Sequence, residues 1–283
     1  MENEKKRKVK FIDRNPILCA VLLGVLGLAV MQVGVFAVNA SIHLAIPAYP
    51  GDCGPVGVVL AGALALYLYK RHYRPEYAGC IAGADHSHVW VLVIAYGVYL
   101  IFTLIRGFMS GAKMEMPDLN RVFLALFAGV IEEAAFRGLM IPTLTRRRTK
   151  QSILQAMWIP AVVFGVVHAL NSLVGANLAA TVLQVINAVA VGVVFCLLFL
   201  VSGNILIPMA VHFVHDLVAF AFVESVNTDG VMTGSVTLAD FLDLGGALLL
   251  LAFALWYFLR SDRTDTALRI WQGKWTVAEE REA

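Results

Sequence analysis

The chain has 283 residues, of which 59% are hydrophobic and 15% are charged, and its mean hydropathy is +0.76. This composition is far more apolar than a soluble domain of the same length needs, so the sequence predicts an integral membrane protein. The net charge of +2 gives no indication of nucleic-acid binding, and we expect no nucleic-acid partner.

The apolar residues form long continuous runs rather than an alternating pattern, which favours membrane-spanning helices over a β-barrel. The sequence therefore predicts an all-α fold, a polytopic transmembrane bundle of about eight spans. The predicted spans are about 16–37, 54–70, 88–110, 121–145, 151–171, 177–201, 204–224 and 239–260.

Basic residues indicate the orientation of this bundle. They are concentrated in the N-terminal segment, in "YKRHYR", in "TRRRTK" and in the tail from Arg260 onward, and these four segments hold 18 of the 22 Lys and Arg residues. All four fall on one side of an eight-helix layout, which the positive-inside rule assigns to the cytoplasm. We expect both termini to be cytoplasmic in a multi-pass protein, of the plasma or inner membrane if the source is bacterial. The lipid bilayer is then a partner, with anionic headgroups near these basic segments.

Charged and polar side chains inside the spans are concentrated in spans 4, 5 and 7. An unpaired charge at a helix centre costs roughly 2.5–3.5 kcal/mol, so pairing, protonation or a water-filled cavity must compensate. The residues concerned are Glu132, Glu133, Arg137, His168, His212, His215 and Asp216.

Span 4 carries the densest charge, in "GVIEEAAFRGLM". Glu133 and Arg137 are four residues apart, so they share a helix face and can form an ion pair. Glu132 lies about 100° round the helix from Glu133 and can point elsewhere. Two interpretations stay open, a structural Glu–Arg lock between helices and a catalytic site in which Glu132 acts.

Spans 5 and 7 add histidines at helical spacing. Phe164 and His168 are four residues apart in "FGVVHAL", so the ring lies one turn from the imidazole on the same face. In span 7, Asp216 lies four residues after His212, and His215 lies three residues after it. A helix–helix hydrogen bond and a polar packing stripe are the structural alternatives to a catalytic role.

Residue counts along the helices predict whether these groups share a depth. Glu132 lies eleven residues from Arg121, or ~16 Å along a helix, near the middle of the membrane. A start of span 5 at Gln151 puts His168 at ~26 Å, near the outer face, whereas a start at Trp158 puts it at ~15 Å. We therefore favour a start at Trp158, which suits an interfacial position.

The three motifs "EEAAFR", "FGVVH" and "HFVHD" occur in this order on separate apolar helices. They match the patterns Glu-Glu-x-x-x-Arg, Phe-x-x-x-His and His-x-x-x-Asn/Asp. With these motifs, residues 121–224 resemble the CPBP family of intramembrane endopeptidases. This family includes the CAAX proteases, bacteriocin-processing proteins and Abi proteins. The resemblance implies hydrolysis of a peptide bond within the membrane, on a membrane-associated protein or peptide.

The resemblance also implies roles for single residues. Glu132 and His168 would activate water, with Glu132 as general base, and His212 with Asp216 would stabilise the oxyanion. The structural or orienting residues would be Glu133, Arg137 and Phe164.

Asp216 departs from the commoner family pattern, which has Asn at this position. An ionised aspartate repels an oxyanion, so two further roles stay open for it: orienting or charging His212, or acting in its protonated form. His215 lies outside the motif and is a candidate accessory group.

The mechanism leaves a metal-dependent alternative. Glu132, His168 and His212 could supply three zinc ligands, but no H-E-x-x-H motif occurs. We therefore favour a glutamic mechanism without a cofactor.

A proton-coupled transporter and a non-catalytic immunity or scaffold protein are the alternatives from other classes of protein. The sequence does not select among prenylated CAAX tails, bacteriocin leaders and sorting signals as substrates, and it gives no oligomeric state.

The predicted organisation places the catalytic part between other membrane helices. The segments are 1–15 (basic cytoplasmic segment), 16–120 (N-terminal transmembrane helices), 121–224 (CPBP-like catalytic core), 225–260 (outer loop and last transmembrane helix) and 261–283 (cytoplasmic tail).

Overall fold

The computed structural model describes residues 14–47, 54–81, 88–222 and 235–276. These residues form α-helices and no β-strand, which confirms the all-α prediction for this part of the chain. The helices are α1 (Pro16–Ala45), α2 (Gly54–Leu68), α3 (Val89–Met109), α4 (Leu119–Phe127), α5 (Met140–Thr145), α6 (Lys150–His168), α7 (Leu178–Ser202), α8 (Leu206–Phe220), α9 (Leu238–Phe258) and α10 (Ser261–Thr276).

Five helical segments of the described chain are long and apolar enough to cross a membrane. They are Pro16–Ala45, Val89–Met109, Lys150–Leu173, Leu178–Ser202 and Leu238–Phe258. Helices α2 and α8, at two other predicted spans, have 15 residues each, and the predicted span 121–145 is divided between several helical segments. The helical membrane bundle is supported, while the total of eight spans and the orientation stay predictions.

A π-helical segment, Ala128–Leu139, joins α4 directly to α5 and carries Glu132, Glu133 and Arg137. Such wide helical turns are rare and are often found at functional sites. Gly129 lets α8 approach this segment closely, because a Cβ there would lie 3.0 Å from the carbonyl oxygen of Met209. The approach brings α8 within reach of the acidic side chains.

Helix α6 begins at Lys150, eight residues before Trp158, the predicted start of span 5 in the membrane. The start is fixed by a capping box, in which Thr149 and Ser152 each bond the backbone N–H of the other. Hydropathy gives no signal for this cap. His168 lines one cavity with Glu132, in agreement with the shared depth that a start at Trp158 predicts. Where the chain enters the membrane stays a prediction.

Helix α7 lies at the centre of the described fold, since 78% of its most apolar 18-residue stretch is buried inside the protein. Helix α10 packs against its C-terminal end, where the fully buried Trp271 donates a hydrogen bond to the carbonyl oxygen of Leu200 (3.1 Å). Trp275 of α10 is also buried. Much of the predicted C-terminal tail is therefore a packed helix.

Candidate active site

Glu133 and Arg137 form the buried ion pair that their spacing predicts. Nη1 of Arg137 lies 2.8 Å from Oε1 of Glu133, and both side chains are fully buried. Nη2 of Arg137 donates to the carbonyl oxygen of Gly192 on α7 (3.0 Å). The pair thus connects the π-helical segment to the central helix, and each charge stabilises the other in a site without solvent exposure.

His212 of α8 joins this pair through its first ring nitrogen. Nδ1 lies 2.9 Å from Oε1 of Glu133, and since a carboxylate only accepts, Nδ1 carries the proton and donates. Nε2 lies 3.6 Å from Oδ2 of Asp216 and 3.9 Å from Oε2 of Glu132, within ion-pair range but beyond a hydrogen bond. Glu133 therefore fixes one nitrogen of His212 and leaves Nε2 facing the other two carboxylates.

The two adjacent glutamates of span 4 have different surroundings. The Glu133 side chain has no exposed surface, whereas 22% of the Glu132 side chain is accessible and lines a cavity. The division expected from helical spacing is present: Glu133 is engaged within the protein, and Glu132 faces open space. Of the two, Glu132 is the one that is accessible from the cavity.

His168 lies on another wall of the same cavity. Its Nδ1 lies 2.8 Å from the carbonyl oxygen of Phe164, so Nδ1 donates and Nε2 is the ring nitrogen left for another partner. The Phe164 ring lies edge-on to both imidazoles, with centroid distances of 4.6 Å to His168 and 5.9 Å to His212. Phe164 therefore connects the second and third motifs by packing.

Asp216 and His215 lie next to each other on α8, and both line the cavity. The His215 ring is stacked with Tyr99 of α3 and lies edge-on to Tyr96, each at a centroid distance of 5.9 Å. Nδ1 of His215 is buried, and no described residue gives it a hydrogen-bond partner. The structure thus brings both predicted residues to the site, and their chemical roles remain predictions.

Two residues of α7 also belong to the site, although the sequence gives no prediction for them. The Phe195 ring is stacked on the His212 ring (centroids 4.7 Å apart, planes at 26°) and lies 5.3 Å from the Arg137 guanidinium carbon. Gly192 accepts the bond from Arg137, and a Cβ there would lie 3.1 Å from Nη2 of Arg137. Because α7 is almost wholly apolar, neither charge nor periodicity distinguishes these two residues in the sequence.

The cavity around these groups has a volume of about 630 Å³. Besides the motif residues, its walls contain apolar side chains of α1 and α4 and polar side chains of α3, α7 and α9. Its apolar walls include Leu28, Phe36, Phe123 and Phe127. The space is large enough for several residues of a peptide.

The zinc alternative requires three ligands around one point. In the described part of the chain, no group of three or more His, Cys, Asp or Glu side chains is arranged to hold a metal ion. His212 also uses Nδ1 for Glu133, which leaves Nε2 as the ring nitrogen open to a further ligand. The donor types suit zinc, so metal dependence is a question for experiment.

The arrangement provides one accessible carboxylate and two imidazoles around a shared cavity. Each imidazole has Nδ1 fixed by an acceptor of the protein, Glu133 for His212 and the Phe164 carbonyl for His168. Fixed rings with one remaining nitrogen are suited to proton transfer and to hydrogen bonding with a developing charge. The geometry is therefore compatible with general acid–base chemistry by Glu132.

Comparison with known proteins gives a family match over the segment that carries these residues. Residues 117–218 match the family model described as type II CAAX prenyl endopeptidase Rce1-like. No curated protein and no solved structure was found to match the chain. Together with the five long apolar helices, the match indicates an integral membrane protein. Residues 117–218 are therefore similar in sequence to the CAAX-type endopeptidases of the CPBP family, as the three motifs predict.

Proposed function

We propose that the chain is an intramembrane endopeptidase that hydrolyses a peptide bond of a membrane-associated protein or peptide. One observation carries the proposal: Glu132 faces a cavity together with His168 and His212, while Oε1 of its buried neighbour Glu133 is bound by both Arg137 and His212. A structural lock accounts for Glu133 and Arg137. It does not account for an accessible glutamate beside two fixed imidazoles.

In the proposed reaction, Glu132 acts as the general base and His168 helps to position the attacking water. Glu132 accepts a proton from the water, and the hydroxide oxygen bonds to the scissile carbonyl carbon. The carbonyl oxygen becomes an oxyanion, which a protonated Nε2 of His212 stabilises by hydrogen bonding. Protonated Glu132 then gives its proton to the leaving nitrogen, the C–N bond breaks, and a carboxylic acid and an amine are formed.

Asp216 acts on His212 rather than on the oxyanion. Its Oδ2 lies 3.6 Å from Nε2 of His212, close enough for a carboxylate to favour the imidazolium form. The same charge would repel an oxyanion placed against it. Asp216 is thus proposed to keep His212 charged and in position, and Glu133 to hold the other end of the ring.

The test of this function is cleavage of a quenched-fluorescent peptide library by the purified protein in detergent. The library carries a lipid anchor at either end, so that both orientations of a membrane-associated substrate are present. We expect cleavage by the wild type, little by His168→Ala and His212→Ala, and full cleavage by the exposed control His72→Ala. Equal cleavage by His168→Ala and wild type would contradict the assignment.

A further inference from the structure

One face of α7 extends from the catalytic end of the cavity to a second polar region outside the three motifs. The cavity-lining residues of this face follow one another at intervals of one, three or four positions. They are Ala180, Leu183, Gln184, Asn187, Ala188, Val191 and Phe195. Phe195 marks the catalytic end because its ring is stacked on His212. Gln184 and Asn187 are the polar side chains of the face.

The spacing on α7 sets how far these amides lie from the reacting groups. Asn187 precedes Phe195 by eight residues and Gln184 precedes it by eleven. At 1.5 Å per residue, these separations are ~12 Å and ~16 Å along the helix axis. An extended peptide advances roughly 3.3 Å per residue, so the amides lie about four to five substrate residues from the scissile bond.

Asn187 is held in place by a partly buried hydrogen-bond network between three helices. Its Nδ2 group donates to the hydroxyl of Tyr99 (3.2 Å) and to Oδ2 of Asp243 (3.2 Å). Asp243 is fixed in turn by the hydroxyl of Thr103 (3.0 Å). With both N–H groups engaged, Asn187 retains acceptor capacity on Oδ1, which Tyr99 uses for one bond (3.3 Å).

Gln184 has the complementary capacity. Its Oε1 accepts a hydrogen bond from Nδ2 of Asn171 (3.0 Å), which orients the carboxamide. In the described residues no bond is made by its Nε2 group, so two N–H donors are left at the cavity wall. A donor and an acceptor one helical turn apart match the C=O and N–H groups of an extended main chain.

We propose that Gln184 and Asn187 bind the substrate main chain about four to five residues from the scissile bond, and that Tyr99 and Asp243 position Asn187 for this contact. This proposal rests on the proposed endopeptidase function. It gives a role in substrate binding to polar side chains of α3, α7 and α9 that lie outside the three motifs. It also predicts that the enzyme recognises a length of extended peptide whatever its side chains are.

The test compares two lengths of the best-cleaved library peptide, one that extends at least six residues on both sides of the scissile bond and one shortened to three. The wild type should bind the longer peptide better, as a lower KM. Gln184→Ala should raise KM for the longer peptide roughly three- to tenfold, as expected for the loss of one or two neutral hydrogen bonds. Its KM for the shorter peptide and both kcat values should remain close to those of the wild type.

Two further variants distinguish the loss of the hydrogen bonds of Gln184 from a general loss of folding. Gln184→Glu keeps the shape of the side chain but removes the N–H donors, and it should raise KM for the longer peptide in the same way. The matched control Gln151→Ala changes an exposed glutamine at the start of α6, away from the cavity, and should have no effect. Shortening each side separately identifies which side of the scissile bond lies along α7.

The outcomes separate the two proposals. If the wild type cleaves peptides but Gln184→Ala and Gln184→Glu give the wild-type KM at both lengths, the subsite on α7 is wrong and the endopeptidase function stands. If the wild type cleaves no peptide, the endopeptidase function is contradicted, and the subsite is contradicted with it.

Discussion

Glu133 and His212 share a hydrogen bond of 2.9 Å between Oε1 and Nδ1, although they lie 79 residues apart on different helices. The same oxygen accepts from Arg137 (2.8 Å), so a single carboxylate oxygen connects two of the three motifs. This contact determines which glutamate is available for chemistry. Because Glu133 is hydrogen-bonded to Arg137 and His212 inside the protein, Glu132 is the carboxylate that faces the cavity.

The ion pair yields a prediction on stability. Glu133→Gln leaves Arg137 as a buried charge without its counter-charge, which should lower the free energy of unfolding by roughly 3–5 kcal/mol. Thermal unfolding in detergent measures the loss. The double variant Glu133→Gln with Arg137→Gln removes both charges and should be more stable than Glu133→Gln alone. If Glu133→Gln alone unfolds like the wild type, the pair has no structural role.

Phe195 yields a prediction on catalysis. Phe195→Leu keeps an apolar side chain of similar volume but removes the ring that is stacked on His212. We expect kcat to fall while KM changes little, because the ring orients a group that acts in the transition state. The matched control is Phe253→Leu, on a partly exposed ring of α9 outside the cavity, which should retain kcat. Equal kcat values for both variants and the wild type would show that the Phe195 ring does not contribute to catalysis.

Metal dependence is tested by chelation. The glutamic mechanism predicts full peptide cleavage after exhaustive treatment with a strong zinc chelator and removal of the complex, and no gain on adding zinc. Loss of cleavage with recovery on zinc addition would instead support the alternative with Glu132, His168 and His212 as ligands. Elemental analysis of the treated protein serves as the control that zinc is absent.

Helix α10 should contribute strongly to stability. Trp271 is fully buried and is stacked on Tyr77, and its indole N–H bonds the end of α7. Trp271→Ala should lower the free energy of unfolding by about 3–5 kcal/mol because it leaves a cavity and removes the hydrogen bond. The exposed Trp90 is the matched control, and Trp90→Ala should change thermal unfolding little. Equal unfolding temperatures would show that α10 is dispensable.

Lys274 gives a prediction on pH. Burial lowers the pKa of this lysine to about 8 from its ordinary 10.5, while its Nζ donates to the carbonyl oxygen of Gly79. Above pH 8 the folded state therefore binds fewer protons than the unfolded state, and stability should rise with pH. Burial also raises the pKa of the neighbouring Cys80 from 9.0 to about 11, which opposes this rise above pH 9.

The window that isolates Lys274 is consequently pH 8 to 9. Between these values the unfolding temperature of the wild type should increase more than that of Lys274→Met, which has no proton to lose. A parallel pH dependence of the two proteins would show that the pKa of Lys274 is not lowered by folding. Cys80→Ser is a useful control, since it removes the opposing titration of the thiol and should retain the rise in unfolding temperature between pH 8 and pH 9.

The sequence predicted the site better than it predicted the boundaries of the helices. Periodicity was sufficient to separate Glu132 from Glu133 and to pair Glu133 with Arg137, because neighbours on one helix are set by local geometry. It could not predict the bond from Glu133 to His212, which depends on how two distant helices pack. Nor could it predict the packing of the C-terminal tail, because the buried Trp271 and Trp275 are outnumbered there by charged residues.

The apolar residues of the site could not be predicted from the pattern of charged residues in the sequence. Phe195 and Gly192 occur in a run that is hydrophobic on every side, so periodicity gave no reason to choose them. Similarly, the start of α6 is set by two small hydroxyl side chains, Thr149 and Ser152, whose capping bonds have no hydropathy signal. Packing and capping, not composition, decided these features.

The central claim is that Glu132 is the general base, and the most direct measurement is kcat/KM of Glu132→Gln on a cleaved library peptide. Glutamine retains the size of the side chain but cannot take a proton from water, so kcat/KM should fall by roughly 10²–10⁴ with folding unchanged. The exposed Glu115→Gln serves as the matched control and should retain full activity. Cleavage by Glu132→Gln at the wild-type rate would contradict the account.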